Sequence, residues 1–208
     1  MQRKRKLNQY PVSEHMSLHT LKKECEEADL LLKEGNTLVF GRGDPDADIL
    51  FIGEAPGEKE DEQGEPFVGR AGKVLQNGID HVSIDSYYIA NILKYRPPNN
   101  RDPKTAEIKN HTPYLIKQIE HISPNVIATL GNYSTKFVLN GFEADGMDSV
   151  QGISSLHGKK KHVELNGKTY TIIPLYHPAA TLYNPNLRPD FEEDLRKVRE
   201  ESTQSTLI

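Results

Sequence analysis

Four short apolar runs, Ile49–Gly53, Tyr87–Asn91, Val126–Gly131 and Tyr170–Leu175, constrain this chain more than any other feature. None alternates apolar with polar residues, so each reads as a strand buried on both faces rather than on one. Stretches of helical spacing separate them: Ala71–His81, a segment from Pro103 at a first helical position to about His121, and Tyr133–Leu139, with Asp190–Glu201 closing the chain. Buried strands alternating with helices predict the α/β class, with four strands in a mainly parallel sheet covered on both faces. Ligands of such sheets bind beyond the carboxyl ends of the strands. The unusual residues sit there: Glu54-Ala-Pro-Gly57 after the first run, Asn91 at the end of the second, Gly131-Asn132 after the third and His177-Pro-Ala179 after the fourth.

The remainder of the chain bounds the reading. At 208 residues one domain is expected, spanning 12–201, with a basic, flexible 1–11 before it and a polar 202–208 after it. A helix is expected within Val12–Lys33, capped by Ser13 and stopped by Gly35. Residues 54–69 read as a loop, and 140–168 as loop and hairpin with an Asn166-Gly167 turn. No apolar run approaches the ~20 residues of a spanning helix, and the basic N-terminus has no apolar segment behind it. An intracellular, cytoplasmic protein without a membrane partner is expected. Lys and Arg number 26 against 30 Asp and Glu, which excludes a basic field over the whole molecule but not a local basic face. The single cysteine, Cys25, excludes an internal disulfide or an all-cysteine metal site, and the histidines have no ligand spacing with it.

Three segments carry chemistry. In Gly53-Glu-Ala-Pro-Gly57 two glycines flank a proline, a tight backbone that a ligand can approach, and Pro66-Phe-Val-Gly-Arg-Ala-Gly72 places one aromatic ring, Phe67, in a polar loop. Taken alone, Phe67 would plug the core. Asn91 offers one acceptor and two donors, suited to a base edge, although alone it would satisfy a turn. The proline-stiffened loop behind it brings Lys94, Arg96 and Arg101, read together with Arg70 as a clamp for nucleic-acid phosphates. His177, between a strand and a proline, would more often be structural than catalytic.

Together and in order, Gly53–Gly57, Pro66–Gly72, Asn91–Arg101 and His177–Ala179 closely resemble the family 4, iron–sulfur type of uracil-DNA glycosylases, from about Leu21 to Leu195. The resemblance implies a three-layer α/β/α sandwich around a four-stranded parallel sheet, and excision of uracil from DNA. It places Glu54, Ala55 and Gly57 in the loop around the water and the base, and Phe67 under the flipped uracil. Asn91 would read the uracil edge, Asn100 would support activity, and His177 would face the uracil O2. Glu60 matches a loop acid of the family. Ala180–Asn184 corresponds to the loop that fills the gap left by the extruded nucleotide, with Leu182 and Tyr183 as its large side chains. Many relatives carry Arg where this chain has Tyr183. Ala55 stands where the classical enzymes place a water-activating Asp, which leaves Glu54 as the nearest carboxyl and leaving-group stabilisation as the main source of rate.

The family holds a [4Fe–4S] cluster on four cysteines. By the same resemblance Cys25 matches the first, while Ala28, Tyr95 and His111 stand at the other three. No metal or cofactor is therefore expected, and Tyr95 should fill the space with its hydroxyl bonded to His111. The first reading is a cluster-free, monomeric uracil-DNA glycosylase acting on uracil-containing DNA. The alternative is a glycosylase-like DNA-binding or damage-sensing protein that has lost catalysis.

Overall fold

A computed structural model describes residues 17–205. The expected basic arm 1–11, the expected cap Ser13 and residues 206–208 lie outside them. Strands β1 (Arg42–Gly43), β2 (Ile49–Gly53), β3 (Tyr88–Asn91), β4 (Val126–Leu130), β5 (Lys161–Leu165) and β6 (Lys168–Leu175) form one sheet in the order β1-β3-β2-β4-β6-β5. The four apolar runs are its parallel centre. Two antiparallel edge strands extend the expected four to six. The hairpin expected within 140–168 supplies β5, while β1 was missed, and both are faint for a physical reason. β1 is two residues long and β5 is mostly exposed, so neither carries the buried apolar run that betrays a central strand. The β5–β6 hairpin turns at Asn166 and Gly167, both with positive φ (49° and 84°), as the Asn-Gly pair predicts.

The helices are α1 (Leu18–Glu27), α2 (Glu58–Gln63), α3 (Arg70–His81), α4 (Thr105–Ile122), α5 (Asn132–Leu139), α6 (Ile153–Leu156), α7 (Pro178–Tyr183) and α8 (Arg188–Ser205). On one sheet face Leu50, Ile52, Ala90 and Ile127 pack against Ile108, Leu115 and Ile119 of α4 and Phe137 of α5. On the other, Phe51, Ile89, Ala128 and Ile173 pack against Leu75 and Ile79 of α3 and Phe191 and Leu195 of α8. This is a three-layer sandwich. Among the described residues no helix is long and apolar enough to cross a membrane.

Several expected boundaries move. α1 is capped by Ser17, whose Oγ accepts from the Thr20 N–H, and it ends before Ala28 instead of at Gly35. Beyond the helix the chain is extended at Ala28, and Leu30 is buried. Pro103 precedes the cap of α4 rather than opening the helix; the Glu107 carboxylate accepts from the Lys104 N–H at 2.8 Å. The 54–69 loop contains α2, and the segment expected as a loop at 180–184 begins within α7. α8 continues to Ser205 with Ser202 buried, so the expected polar tail starts inside a packed helix.

A third apolar cluster, apart from the two sheet faces, joins Leu21 and Cys25 of α1 to Leu30, Leu38, Phe40 and Tyr95, with Ala28 against it. Tyr95 does not hydrogen-bond His111 as expected. Its ring meets the imidazole edge-on, centroids 6.1 Å apart. Both ring nitrogens of His111 are taken by backbone: Nδ1 accepts from the Lys94 N–H and Nε2 donates to the Leu31 carbonyl, each at 2.8 Å. Tyr95 is among the largest fully buried side chains. Tyr95→Ala should therefore lower unfolding stability by about 3–5 kcal/mol, measured by denaturant titration; a loss below about 1 kcal/mol would mean that the cluster is not a structural plug.

Candidate active site

The parallel pairing of β2 with β3 sets Gly53 directly beside Asn91 at the carboxyl ends of both strands. Asn91 is buried, and its Oδ1 is a buried acceptor without a hydrogen-bond partner. A side chain at position 53 would collide with that oxygen and would lie 2.7 Å from the Phe67 ring. Glycine is required here to let the amide and the ring stand side by side.

Phe67 is held in a costly shape. Its φ is +55°, rare for a residue with a Cβ. Two contacts fix it. Glu60 of α2 reaches across, and its Oε1 accepts from the Val68 and Gly69 N–H groups at 3.0 and 2.8 Å. Gly72, in the first turn of α3, lets that helix press on the Phe67 backbone, where any Cβ would clash. The sequence offered Glu60 only as a matched loop acid; its work, pinning the loop that carries Phe67, needed the fold of α2.

His177 follows β6 and caps α7. Its Nδ1 accepts from the Ala179 N–H at 3.2 Å, so the neutral ring carries its proton on Nε2. Burial brings its pKa down to about 4, only partly opposed by Glu60, so the ring is neutral at physiological pH. It lies tilted against Phe67, centroids 5.8 Å apart. Gly131, at φ +93°, makes room for it: a Cβ there would stand 3.0 Å from that of His177. Phe67, Asn91 and His177, distant in sequence, thus meet at one edge of the sheet.

Glu54 follows Gly53. Burial first, and the charge of Asp102 second, push its pKa up to about 7. Burial first, and Asp102 second, push the pKa of the Tyr133 hydroxyl up to about 12, a link that the sequence did not suggest. Ala55 and Tyr133 are both partly buried against the core on the α4 face. Tyr133 also lines a separate cavity of about 500 Å³ with Asn132, Lys136 and Met147; Phe67, Asn91 and His177 do not line it.

The basic residues divide. Lys94 cannot contact DNA, because it is wholly buried with its ammonium bonded to carbonyl groups. This corrects the expected clamp. Charge alone gave no sign of that burial. Arg101 is tied in a bidentate pair to Glu107. Arg96 bonds Asn100 Oδ1 at 2.8 Å and lies 3.8 Å from Glu58, while Arg70 is exposed at the start of α3. Leu182 and Tyr183 project from α7, and Tyr183 is 90% exposed.

Residues 40–200 match the family model of the Uracil DNA glycosylase superfamily. A type-4 uracil-DNA glycosylase of Sulfurisphaera tokodaii is 45% identical over 190 residues, 88% of this chain and 84% of the relative. The one of Archaeoglobus fulgidus is 44% identical over 178 residues, 85% and 87% of the two chains. The chain belongs to the type-4 uracil-DNA glycosylases. The cysteine pattern nevertheless departs from a four-cysteine site. Cys25 is buried with its thiol pKa pushed up to about 11, and around it stand Ala28, Tyr95 and a His111 whose nitrogens are both engaged. One protonated thiol in an apolar cluster does not fit an iron–sulfur cluster.

The Glu60 anchor is open to test. Glu60→Ala leaves two loop N–H groups unpaired and should cost about 1–3 kcal/mol, whereas Glu60→Gln keeps an acceptor and should cost less. Thermal melts of both variants check this, and equal melting of the two would remove Glu60 as the anchor of the Phe67 loop.

Proposed function

We propose that this chain is a uracil-DNA glycosylase that extrudes uracil from DNA and hydrolyses its N-glycosidic bond without an iron–sulfur cluster. The observation that carries the reading is the unpartnered Asn91 Oδ1, buried beside the Phe67 ring. A buried acceptor left unpaired costs about 1–3 kcal/mol, a cost that a ligand bearing an N–H would relieve. Uracil offers N3–H there and O4 to the amide N–H₂. Cytosine presents an acceptor at N3 instead, which opposes Oδ1.

Flipping costs a few kcal/mol, least at mispaired or damaged sites. Leu182 and Tyr183, exposed on α7, would occupy the vacated stack, and Arg70 and Arg96 would meet the backbone phosphates, with Asn100 orienting Arg96. Phe67 would support the extruded ring from one face. As the bond to C1′ breaks, its electron pair passes to the base and negative charge gathers on O2. The Nε2–H of the neutral His177 would donate to that oxygen, and the donor is already in place because Nδ1 is held by Ala179. Water then completes the bond at C1′, and Glu54, which titrates near neutrality, would take its proton. The form proposed is a monomer acting on intracellular DNA, with every group named here on one chain.

Incubation with a uracil-containing oligonucleotide followed by alkali should break the strand at uracil, and intact strands would favour a binding protein instead. His177→Ala should slow single-turnover excision about 10²–10³-fold with affinity for abasic DNA preserved. An equal fall in both would make His177 a support of α7 only. With pH, kcat/KM should rise as Glu54 ionises, with a midpoint near 7. Glu54→Gln should flatten that rise; an unchanged profile would assign the titration to another group.

A further inference from the structure

Behind Asn91 lies a charge that the excision scheme does not use. Lys94 is wholly buried, and among the described residues no carboxylate pairs with it. Its Nζ instead faces three carbonyl oxygens: Gln118 Oε1 at 2.6 Å, Asn91 O at 2.9 Å and Phe40 O at 3.5 Å. The Phe40 ring centroid is 5.8 Å away. An ammonium has three donors and no acceptor. Three acceptors and a ring face match that form, whereas a neutral amine would turn its lone pair on a carbonyl. Burial opposes the charge and pulls the pKa down to about 7. The surroundings are fixed in turn. Gln118 Nε2 donates to Phe40 O at 2.9 Å, and His111 Nδ1 accepts from the Lys94 N–H.

A cation in a protein interior without a counter-ion is expensive, and an apolar residue of similar volume is often more stable in such a place. What distinguishes this place is its neighbour. The ammonium grips the carbonyl of Asn91, the residue whose side-chain oxygen waits unpaired in the base site. We infer that Lys94 is a positioning residue for excision: its buried Nζ, bonded to the Asn91 carbonyl, holds the Asn91 peptide and in its ammonium form adds positive potential where the departing base becomes an anion. This rests on the uracil-excision reading above. Low-polarity surroundings carry the field of such a charge further than water would, and a fixed charge needs no reorganisation as the anion forms.

The test uses the full chain with single-turnover release of uracil and of 5-fluorouracil from matched oligonucleotides. Fluorine stabilises the leaving anion by itself, so a protein that stabilises the anion less should become more sensitive to it. Lys94→Met should lower the uracil rate roughly tenfold and the 5-fluorouracil rate by distinctly less, with melting temperature unchanged or raised. Gln118→Glu retains Lys94 and sets a carboxylate against its ammonium. It should produce the same selective loss in a folded protein, and it decides the matter where Lys94→Met melts below the assay temperature. A merely structural lysine predicts equal losses on the two bases, or none in Gln118→Glu, and either result overturns the assignment. Wild-type protein that releases neither base would instead overturn the excision reading, and this inference with it.

Discussion

The site depends on one backbone contact, the parallel pairing that puts Gly53 beside Asn91 at the ends of β2 and β3. Strand pairing fixes the Asn91 amide to within the tolerance of the sheet, and the missing side chain at Gly53 lets Phe67 close against it. The Ile92 N–H extends the grip by donating to the Gly53 carbonyl at 3.0 Å. An amide on a loop would wander by more than a hydrogen bond tolerates. At a strand end it is as rigid as the core beneath it.

Around that rigid pair the protein arranges groups of unlike charge. Burial makes His177 neutral, so it can donate from Nε2 without first losing a proton. Burial and Asp102 leave Glu54 half-titrated near neutrality. Lys94 stays buried among carbonyls on the other side of Asn91. The ionisation of donor, carboxyl and amine is thus set in each case by the group's own degree of exclusion from water.

The cluster at Cys25, Tyr95 and His111 addresses a separate problem, the joining of α1 and its following loop to the segment behind Asn91. Apolar packing supplies the cohesion, and His111 supplies direction by bridging the Leu31 carbonyl and the Lys94 N–H. The imidazole must be neutral to accept at Nδ1, and burial holds its pKa at about 4. Its contribution is therefore complete above the unfolded pKa of about 6.5 and lost as pH falls through 4.

Sequence alone determined what depends on local pattern. The four central strands were legible because burial on both faces demands continuous apolar runs, and the 166–167 turn because Asn-Gly suits positive φ. Edge strand β1 was not, and β5 was legible only through its turn, since an exposed edge carries no such demand. Of the site, Asn91, Phe67 and His177 could be named only through the family resemblance of their motifs taken in order, since each alone reads as a structural residue. Their meeting at one edge, with His177 against Phe67 and Gly53 against both Asn91 and Phe67, was decided by the order of strands in the sheet. Lys94 marks the boundary most sharply. Its sequence neighbourhood is that of a surface clamp, yet the fold buries it, because only the tertiary structure brings Phe40, Asn91 and Gln118 close enough to hold an ammonium that water would otherwise claim.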